Sequence, residues 1–95
     1  MTQGEEDIPQ HLRDRVAASD FEHVVKFDCG DDGVVVINRR EVTREDMPAE
    51  CVLTLSRRNL EKLVNGQLNP MTAFLMGKVK IEGDMSVALK LQTLL

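Results

Sequence analysis

Aromatic side chains and positive charge are both scarce in this chain of 95 residues. It has no Trp and no Tyr, and it has three Phe residues. Base stacking at single-stranded nucleic-acid sites depends on aromatic side chains. The 16 acidic residues outnumber the 12 basic ones and give a formal charge of −4. Residues 1–32 are the more acidic part, with nine acidic and three basic residues. Because electrostatic binding of nucleic acid needs a basic face, the sequence disfavours nucleic acid as a partner.

Long apolar runs and cysteines are also limited. No run approaches the roughly 18 apolar residues that span a bilayer. Residues 1–10 lack the basic start and apolar stretch of a secretory signal, and residues 93–95 are not a Ser-Lys-Leu peroxisomal address. Cys29 and Cys51 form no CxxC pair and stand apart from both histidines, which disfavours a zinc site. We expect free thiols, no cofactor and a cytoplasmic location.

Local signals predict one small α+β domain, because a chain of this length buries a single modest core. Helix starts are marked by a proline or by capping side chains, and strands by alternating apolar residues. Residues 39–48 are charged and are predicted to be a surface connection, although the preceding strand can extend to Val42. The predicted helices begin at Pro9, Ser56, Asn69 and Asp84, and the predicted strands cover residues 21–28, 34–38, 51–55 and 78–82.

No set of residues indicates catalysis. Ser19, Ser56 and Ser86 lie at predicted helix ends or on a helix surface, where capping or solvent contact accounts for them. His23 lies in a predicted strand and is interpreted as structural. The pair at residues 77–78, Gly-Lys, lacks the glycine-rich stretch of a phosphate-binding loop. We therefore expect a protein that is not an enzyme.

The second half of the chain carries a longer pattern. Residues 69–95 read NPMTAFLMGKVKIEGDMSVALKLQTLL and follow a glycine at position 66. The segment combines a Pro-x-x-Ala-Phe helix, a Gly-Lys-hydrophobic-Lys-hydrophobic-x-Gly-Asp strand and an amphipathic helix. It resembles the C-terminal half of the sterol carrier protein type-2 domain, a small lipid-binding and lipid-transfer module. Residues 25–28 and 49–51 agree more loosely, whereas residues 39–48 depart from the family pattern.

The resemblance implies a definite architecture. The family fold is a five-stranded, mainly antiparallel sheet covered on one side by helices, with an apolar tunnel between the layers and an amphipathic C-terminal helix. The sequence does not place the fifth strand, which lies after Val42 or splits a longer strand. Residues 1–95 are expected to form this one domain, with residues 1–7 flexible.

The resemblance also implies a ligand, namely a fatty acyl chain, acyl-CoA, phospholipid or sterol-like lipid that is held and transferred without catalysis. The C-terminal helix is expected to act as a lid, and transient membrane contact is compatible with this role. Empty apolar volume costs about 24 cal/mol per Å³, so adaptable side chains such as Met76 and Met85 suit a tunnel wall. Gln92 is placed to meet a polar head group. The expected lining is Phe27, Val36, Leu53, Leu55, Leu60, Phe74, Met76, Val79, Ile81, Met85, Leu89 and Gln92.

Other interpretations stay open. Met and Leu at helical spacing also fit an ordinary core, and Lys78 and Lys80 fit plain solvent exposure as well as attraction to anionic lipid or a coenzyme A phosphate. The alternative function is an accessory domain that dimerises or docks through its C-terminal helix, with Leu91, Leu94 and Leu95 exposed. An enzyme acting on acyl thioesters has no supporting residue set. The sequence does not determine the oligomeric state.

Overall fold

Within residues 8–95 the fold consists of four α-helices, one short 3-10 helix and five strands. A computed structural model describes residues 8–95, and the expectation that residues 1–7 are flexible falls outside that range. The elements in chain order are α1 (Gln10–Ala17), β1 (Val24–Asp28), a short 3-10 helix (Gly30–Asp32), β2 (Val34–Asn38), β3 (Glu41–Thr43), β4 (Cys51–Thr54), α2 (Arg57–Val64), α3 (Pro70–Leu75), β5 (Lys80–Gly83) and α4 (Met85–Leu94).

The strands form one mixed sheet in the order β3-β2-β1-β4-β5. β1 and β4 are parallel, and the other three neighbouring pairs are antiparallel. In the centre of the sheet, Val25 is paired with Ile37 on one side and with Cys51 on the other. The predicted α+β class and the five-stranded, mainly antiparallel sheet are therefore confirmed.

The hydrophobic core lies on one face of the sheet. Because side chains alternate along a strand, Val25 and Phe27 of β1 face the core while Lys26 points to the opposite face, where its Nζ lies 2.6 Å from Asp46 Oδ1. All four helices contribute buried side chains to the core, including Leu12 of α1, Leu63 of α2, Ala73 of α3 and Leu91 of α4. The helices thus cover one side of the sheet, as expected.

The fifth strand is β3, within the segment that the sequence indicated as a surface connection. The backbone reverses at Arg39, which has a φ of 60°, and β3 then returns antiparallel to β2. Val42 is buried and paired with Ile37. β3 fits the alternative in which a longer strand is split, and it corrects the assignment of residues 41–43 to a surface connection. The sequence did not place it because a three-residue strand with one core-facing side chain carries almost no periodic signal.

Helix starts agree with the predicted capping residues. The Ser56 hydroxyl accepts a hydrogen bond from the Asn59 N–H, and Asn69 Oδ1 accepts from the N–H groups of Met71 and Thr72. Asp84 Oδ1 accepts from the Ser86 N–H. These caps fix where α2, α3 and α4 begin, and hence which side chains α3 and α4 present at the surface.

Candidate functional site

Six of the predicted lining residues belong to the closed core. They are between 0% and 9% exposed, and their side chains pack with the rest of one hydrophobic cluster. Close-packed interiors leave little room beyond the side chains themselves. A recess of about 190 Å³ between α1 and α2 does reach one of them, Leu60. These six residues are Phe27, Leu53, Leu55, Leu60, Val79 and Ile81.

Val36 lies apart from the other predicted lining residues. Its partners across the sheet are Lys26 and Thr43, which places its side chain on the face opposite the helices. Val36 is fully buried there but is outside the hydrophobic cluster. The fold therefore does not bring Val36 together with the residues between sheet and helices.

The remaining apolar members of the predicted lining are at the surface of α3 and α4. Phe74 is 36% exposed, Met85 39% and Leu89 53%, and α3 packs against α4. We call Phe74, Met85 and Leu89 the α3–α4 apolar surface. Leu75, 81% exposed, and Met76, 59% exposed, follow at the end of α3 and are called the apolar tip. Within residues 8–95, these five are the large hydrophobic side chains that are exposed.

Gln92 is also at the surface of α4. It borders a recess of about 140 Å³ that includes Leu63, Leu68, Pro70 and Leu95. An amide beside apolar walls can donate to and accept from a polar ligand group. The head-group contact of Gln92 stays a prediction.

A cleft of about 500 Å³ lies between the end of α1, the segment before β1 and the end of α4. Its walls include the cationic side chains Arg15 and Lys90, the apolar side chains Phe21 and Leu94, and two carboxylates of residues 20 and 22. The volume falls in the range of roughly 300–1,000 Å³ that is usual for small-molecule sites. Sequence reasoning missed this cleft because Arg15 and Lys90 are far apart along the chain.

A hydrogen-bonded chain of side chains borders the cleft. His23 Nδ1 lies 2.8 Å from Glu50 Oε1, and Lys90 Nζ lies 3.3 Å from His23 Nε2. Since a carboxylate only accepts hydrogen bonds, His23 Nδ1 is the donor to Glu50. Hydrogen bonds from His23 and from the Val24 N–H hold the pKa of Glu50 below its ordinary value.

The thiols do not complete a catalytic set with this histidine. Cys29 and Cys51 are free and buried, and burial raises the pKa of both thiols, so the reactive thiolate is disfavoured. Ser56 and Ser86 are occupied at helix starts. His23, with its partners Glu50 and Lys90, is thus a structural link between β1, the residue before β4, and α4.

The burial of two leucines of α4 disfavours the alternative in which the chain dimerises or docks through this helix. That hypothesis needed an exposed patch at Leu91, Leu94 and Leu95. Leu91 is fully buried and Leu94 is 9% exposed, while Leu95 packs partly against the core. The helix side that would have to dock is already used inside the molecule.

The described part of the chain contains no helix long and apolar enough to cross a membrane. Over the same residues there is no group of three or more His, Cys, Asp or Glu side chains that could hold a metal ion. The features that stand out are therefore the α3–α4 apolar surface, the apolar tip and the cleft.

Fold and sequence together define a class, the small α+β domains with a five-stranded sheet covered by helices on one side. The SCP-2 sterol transfer family model matches residues 6–95. The chain belongs to this family. Sterol carrier protein 2 of Bos taurus is 47% identical over 49 residues, which are 52% of this chain and 9% of the bovine protein. The chain thus spans about a tenth of the length of such relatives.

Solved structures agree with the fold. The crystal structure of sterol carrier protein-2 like-3 from Aedes aegypti has a TM-score of 0.74 at 14% identity and covers 88% of this chain and 89% of its own. The solution structure of palmitated sterol carrier protein 2-like 2 from the same mosquito has a TM-score of 0.68 at 18% identity, covering 96% and 93%. At these identities the likeness establishes the architecture.

Proposed function

We propose that the chain binds a single-chain anionic lipid, such as a fatty acid, and transfers it without chemical conversion. The observation that carries this proposal is the α3–α4 apolar surface. Its three side chains lie on two packed helices and are 36% to 53% exposed, although most large apolar side chains within residues 8–95 are buried. An acyl chain laid over them removes apolar area from water, which is favourable by about 25 cal/mol per Å².

The polar end of the ligand is assigned to the cleft. Leu89 of the apolar surface directly precedes Lys90, which lines the cleft together with Arg15. An acyl chain that crosses α4 from the side of Leu89 to the side of Lys90 can place its carboxylate near two cations. Charge-assisted hydrogen bonds of this kind are roughly twice as strong as neutral ones.

Family membership supports the proposal, and so does one structural neighbour, which was solved with palmitate on the protein. The family carries sterol transfer in its name, and the two thiols, Cys29 and Cys51, are buried with a raised pKa, which disfavours them as nucleophiles. The chain accordingly needs only an apolar contact surface and a place for the head group.

The test is palmitate binding by isothermal titration in buffer without vesicles. The variant Met85→Ser/Leu89→Ser is expected to bind about tenfold more weakly or worse, because burying one such side chain is worth roughly 1.5–3 kcal/mol. The control is Met47→Ser, a half-buried methionine in the loop between β3 and β4. Equal affinity of the double variant and the control would refute the site.

The head-group assignment has its own readout. Lys90→Gln is expected to weaken binding of palmitate and to leave binding of its uncharged methyl ester unchanged. Because the ester lacks the carboxylate, a loss of equal size for both ligands would show that Lys90 acts on the protein fold and not on the ligand's charge.

A further inference from the structure

The part of the chain around the apolar tip has a charge opposite to that of the remainder. Residues 56–81 contain five basic residues and one acidic residue, a net charge of +4, whereas the whole chain carries −4 and the remainder therefore −8. The basic side chains in this stretch are Arg57, Arg58, Lys62, Lys78 and Lys80. Such a polarised molecule is oriented in the field of a charged surface.

The fold connects α2, which carries three of these basic residues, to the chain that follows the apolar tip. Asn59 Nδ2 of α2 donates a hydrogen bond to the Lys78 carbonyl oxygen over 3.3 Å, which ties α2 to the chain that follows the tip. Arg58 and Lys62 are exposed and lie one turn apart on α2, on the side away from its buried Leu60 and Leu63.

The tip itself is strongly exposed. Leu75 is 81% and Met76 59% exposed, and Gly77, with a φ of 77°, turns the backbone away from α3 directly after them. Lys78 is exposed as well, and from residue 68 to residue 81 the sequence has two lysines and no acidic residue. The first acidic side chain beyond is Glu82, whose Oε2 lies 3.6 Å from Lys80 Nζ.

We infer that the apolar tip, flanked by Lys78, Lys80, Arg58 and Lys62, docks the protein on an anionic lipid bilayer. Two exposed apolar side chains followed by lysines match the boundary between acyl chains and negatively charged head groups. The other described residues, 8–55 and 82–95, contain 12 acidic and seven basic residues, a net charge of −5, and this part of the molecule is repelled from the same membrane. This inference deepens the proposed function, on which it rests, by naming the surface that meets the membrane.

The location of the tip suits lipid exchange. Leu75 and Met76 directly follow Phe74, which belongs to the α3–α4 apolar surface. A tip seated among the head groups therefore brings that surface next to the acyl chains, so that a lipid moves a short distance between bilayer and protein.

Vesicle cosedimentation tests the docking surface. The full chain is mixed with vesicles of phosphatidylcholine alone and of phosphatidylcholine with phosphatidylserine. Binding is expected for the mixed vesicles and to fall with added salt. Lys78→Gln is expected to weaken it about fivefold, the equivalent of roughly 1 kcal/mol per basic residue near an anionic surface. Arg40→Gln, in the turn between β2 and β3, is the charge-matched control and should leave it unchanged.

Insertion of the tip has a separate signal, because the chain contains no Trp. The emission of a Leu75→Trp variant is expected to shift to the blue on mixed vesicles, and that of Glu45→Trp, in the loop between β3 and β4, to stay constant. Leu75→Ser/Met76→Ser should lose vesicle binding. The inference is overturned if this variant still binds, if phosphatidylserine makes no difference, or if Arg40→Gln weakens binding as much as Lys78→Gln.

The outcomes separate this inference from the proposed function. Palmitate binding in vesicle-free buffer tests the latter, and cosedimentation tests the former. A chain that binds palmitate but no vesicles refutes the docking surface alone. A chain that binds mixed vesicles but no palmitate refutes the proposed ligand and leaves the membrane contact standing. Selective pull-down of acidic proteins without vesicle binding would assign the basic surface to a protein partner instead.

Discussion

Glu50 shows how a single exposed residue can join several parts of this molecule. Its carboxylate accepts hydrogen bonds from His23 Nδ1 at 2.8 Å and from the Val24 N–H at 3.0 Å. Its backbone N–H donates to the Val24 carbonyl oxygen, and its own carbonyl oxygen accepts from the Asp84 N–H, both at 2.9 Å. Glu50 thus connects the start of β1, the start of β4 and the cap of α4.

The lowered pKa of Glu50 predicts a pH dependence of stability. A carboxyl whose pKa is lower in the folded than in the unfolded state stabilises the fold above its unfolded pKa, and this stabilisation is lost as pH falls through the folded value. The hydrogen bond from His23 is the main cause here. In urea unfolding at a series of pH values, Glu50→Gln should therefore show a smaller loss of stability below pH ~4 than the unchanged chain.

The control for this experiment is Glu45→Gln, which removes an exposed carboxylate from the loop between β3 and β4. It should retain the acid-induced loss seen in the unchanged chain. If Glu50→Gln and Glu45→Gln gave the same pH profile, the hydrogen bonds to Glu50 would not contribute to folding stability.

Among the elements, β5 depends on a close approach of two backbones. Gly83, the last residue of β5, is paired with Cys51 and has a φ of 105°. A Cβ atom added at Gly83 would overlap the Glu50 carbonyl oxygen and press on Cys51 Cα. Gly66, between α2 and α3, also has a positive φ, 77°, but a Cβ there would meet open space.

The two glycines give a matched pair of variants. Gly66→Ala is expected to cost about 1–2 kcal/mol, the usual penalty of a left-handed conformation. Gly83→Ala should cost more, by about 1–3 kcal/mol, because the overlap with Glu50 adds to that penalty. Urea unfolding of both variants measures the difference. Equal losses would show that β4 and β5 can separate enough to admit a methyl group.

The helices and strands also show which structural features are readable from the sequence. Ser56, Asn69 and Asp84 mark helix starts correctly because capping is a contact between residues two or three positions apart. The strand β3 was not placed, since its pairing with β2 depends on a turn at Arg39 and on one buried residue, Val42. Such a pairing between strands is set by tertiary contacts and leaves no local pattern in the sequence.

The candidate site was only partly predictable for the same reason. The sequence grouped Met85, Ala88, Leu89 and Gln92 on one side of α4, whereas the structure buries Ala88 and exposes the other three, because a helix this rich in apolar residues does not reveal which side packs inward. The structure buries Leu91 and Leu94 and leaves Met85 and Leu89 at the surface. The cleft at Arg15 and Lys90 forms only when α1 and α4 come together in the fold, so no local sequence pattern predicts it.

At the scale of the whole molecule, one side of α4 is buried in the core and the other side is exposed. One side closes the core, with Val87, Ala88 and Leu91 between 0% and 1% exposed. The other side carries Met85 and Leu89 of the α3–α4 apolar surface. A helix that supplies so much of the core is an integral part of the fold, which disfavours the expected role of α4 as a freely opening lid.

Two leucines on α4, two residues apart, test this division. Leu91→Ser removes a fully buried side chain and places a hydroxyl in the core, so it is expected to destabilise the fold by about 2–5 kcal/mol. Leu89→Ser changes a side chain that is 53% exposed and should alter stability by no more than about 0.5 kcal/mol. Urea unfolding measures both variants, and palmitate titration of Leu89→Ser should show weakened binding by a folded protein. The contrary outcome is that Leu91→Ser is as stable as the unchanged chain and loses only palmitate binding. In that case α4 would be a lid over a ligand that lies between the helices and the sheet.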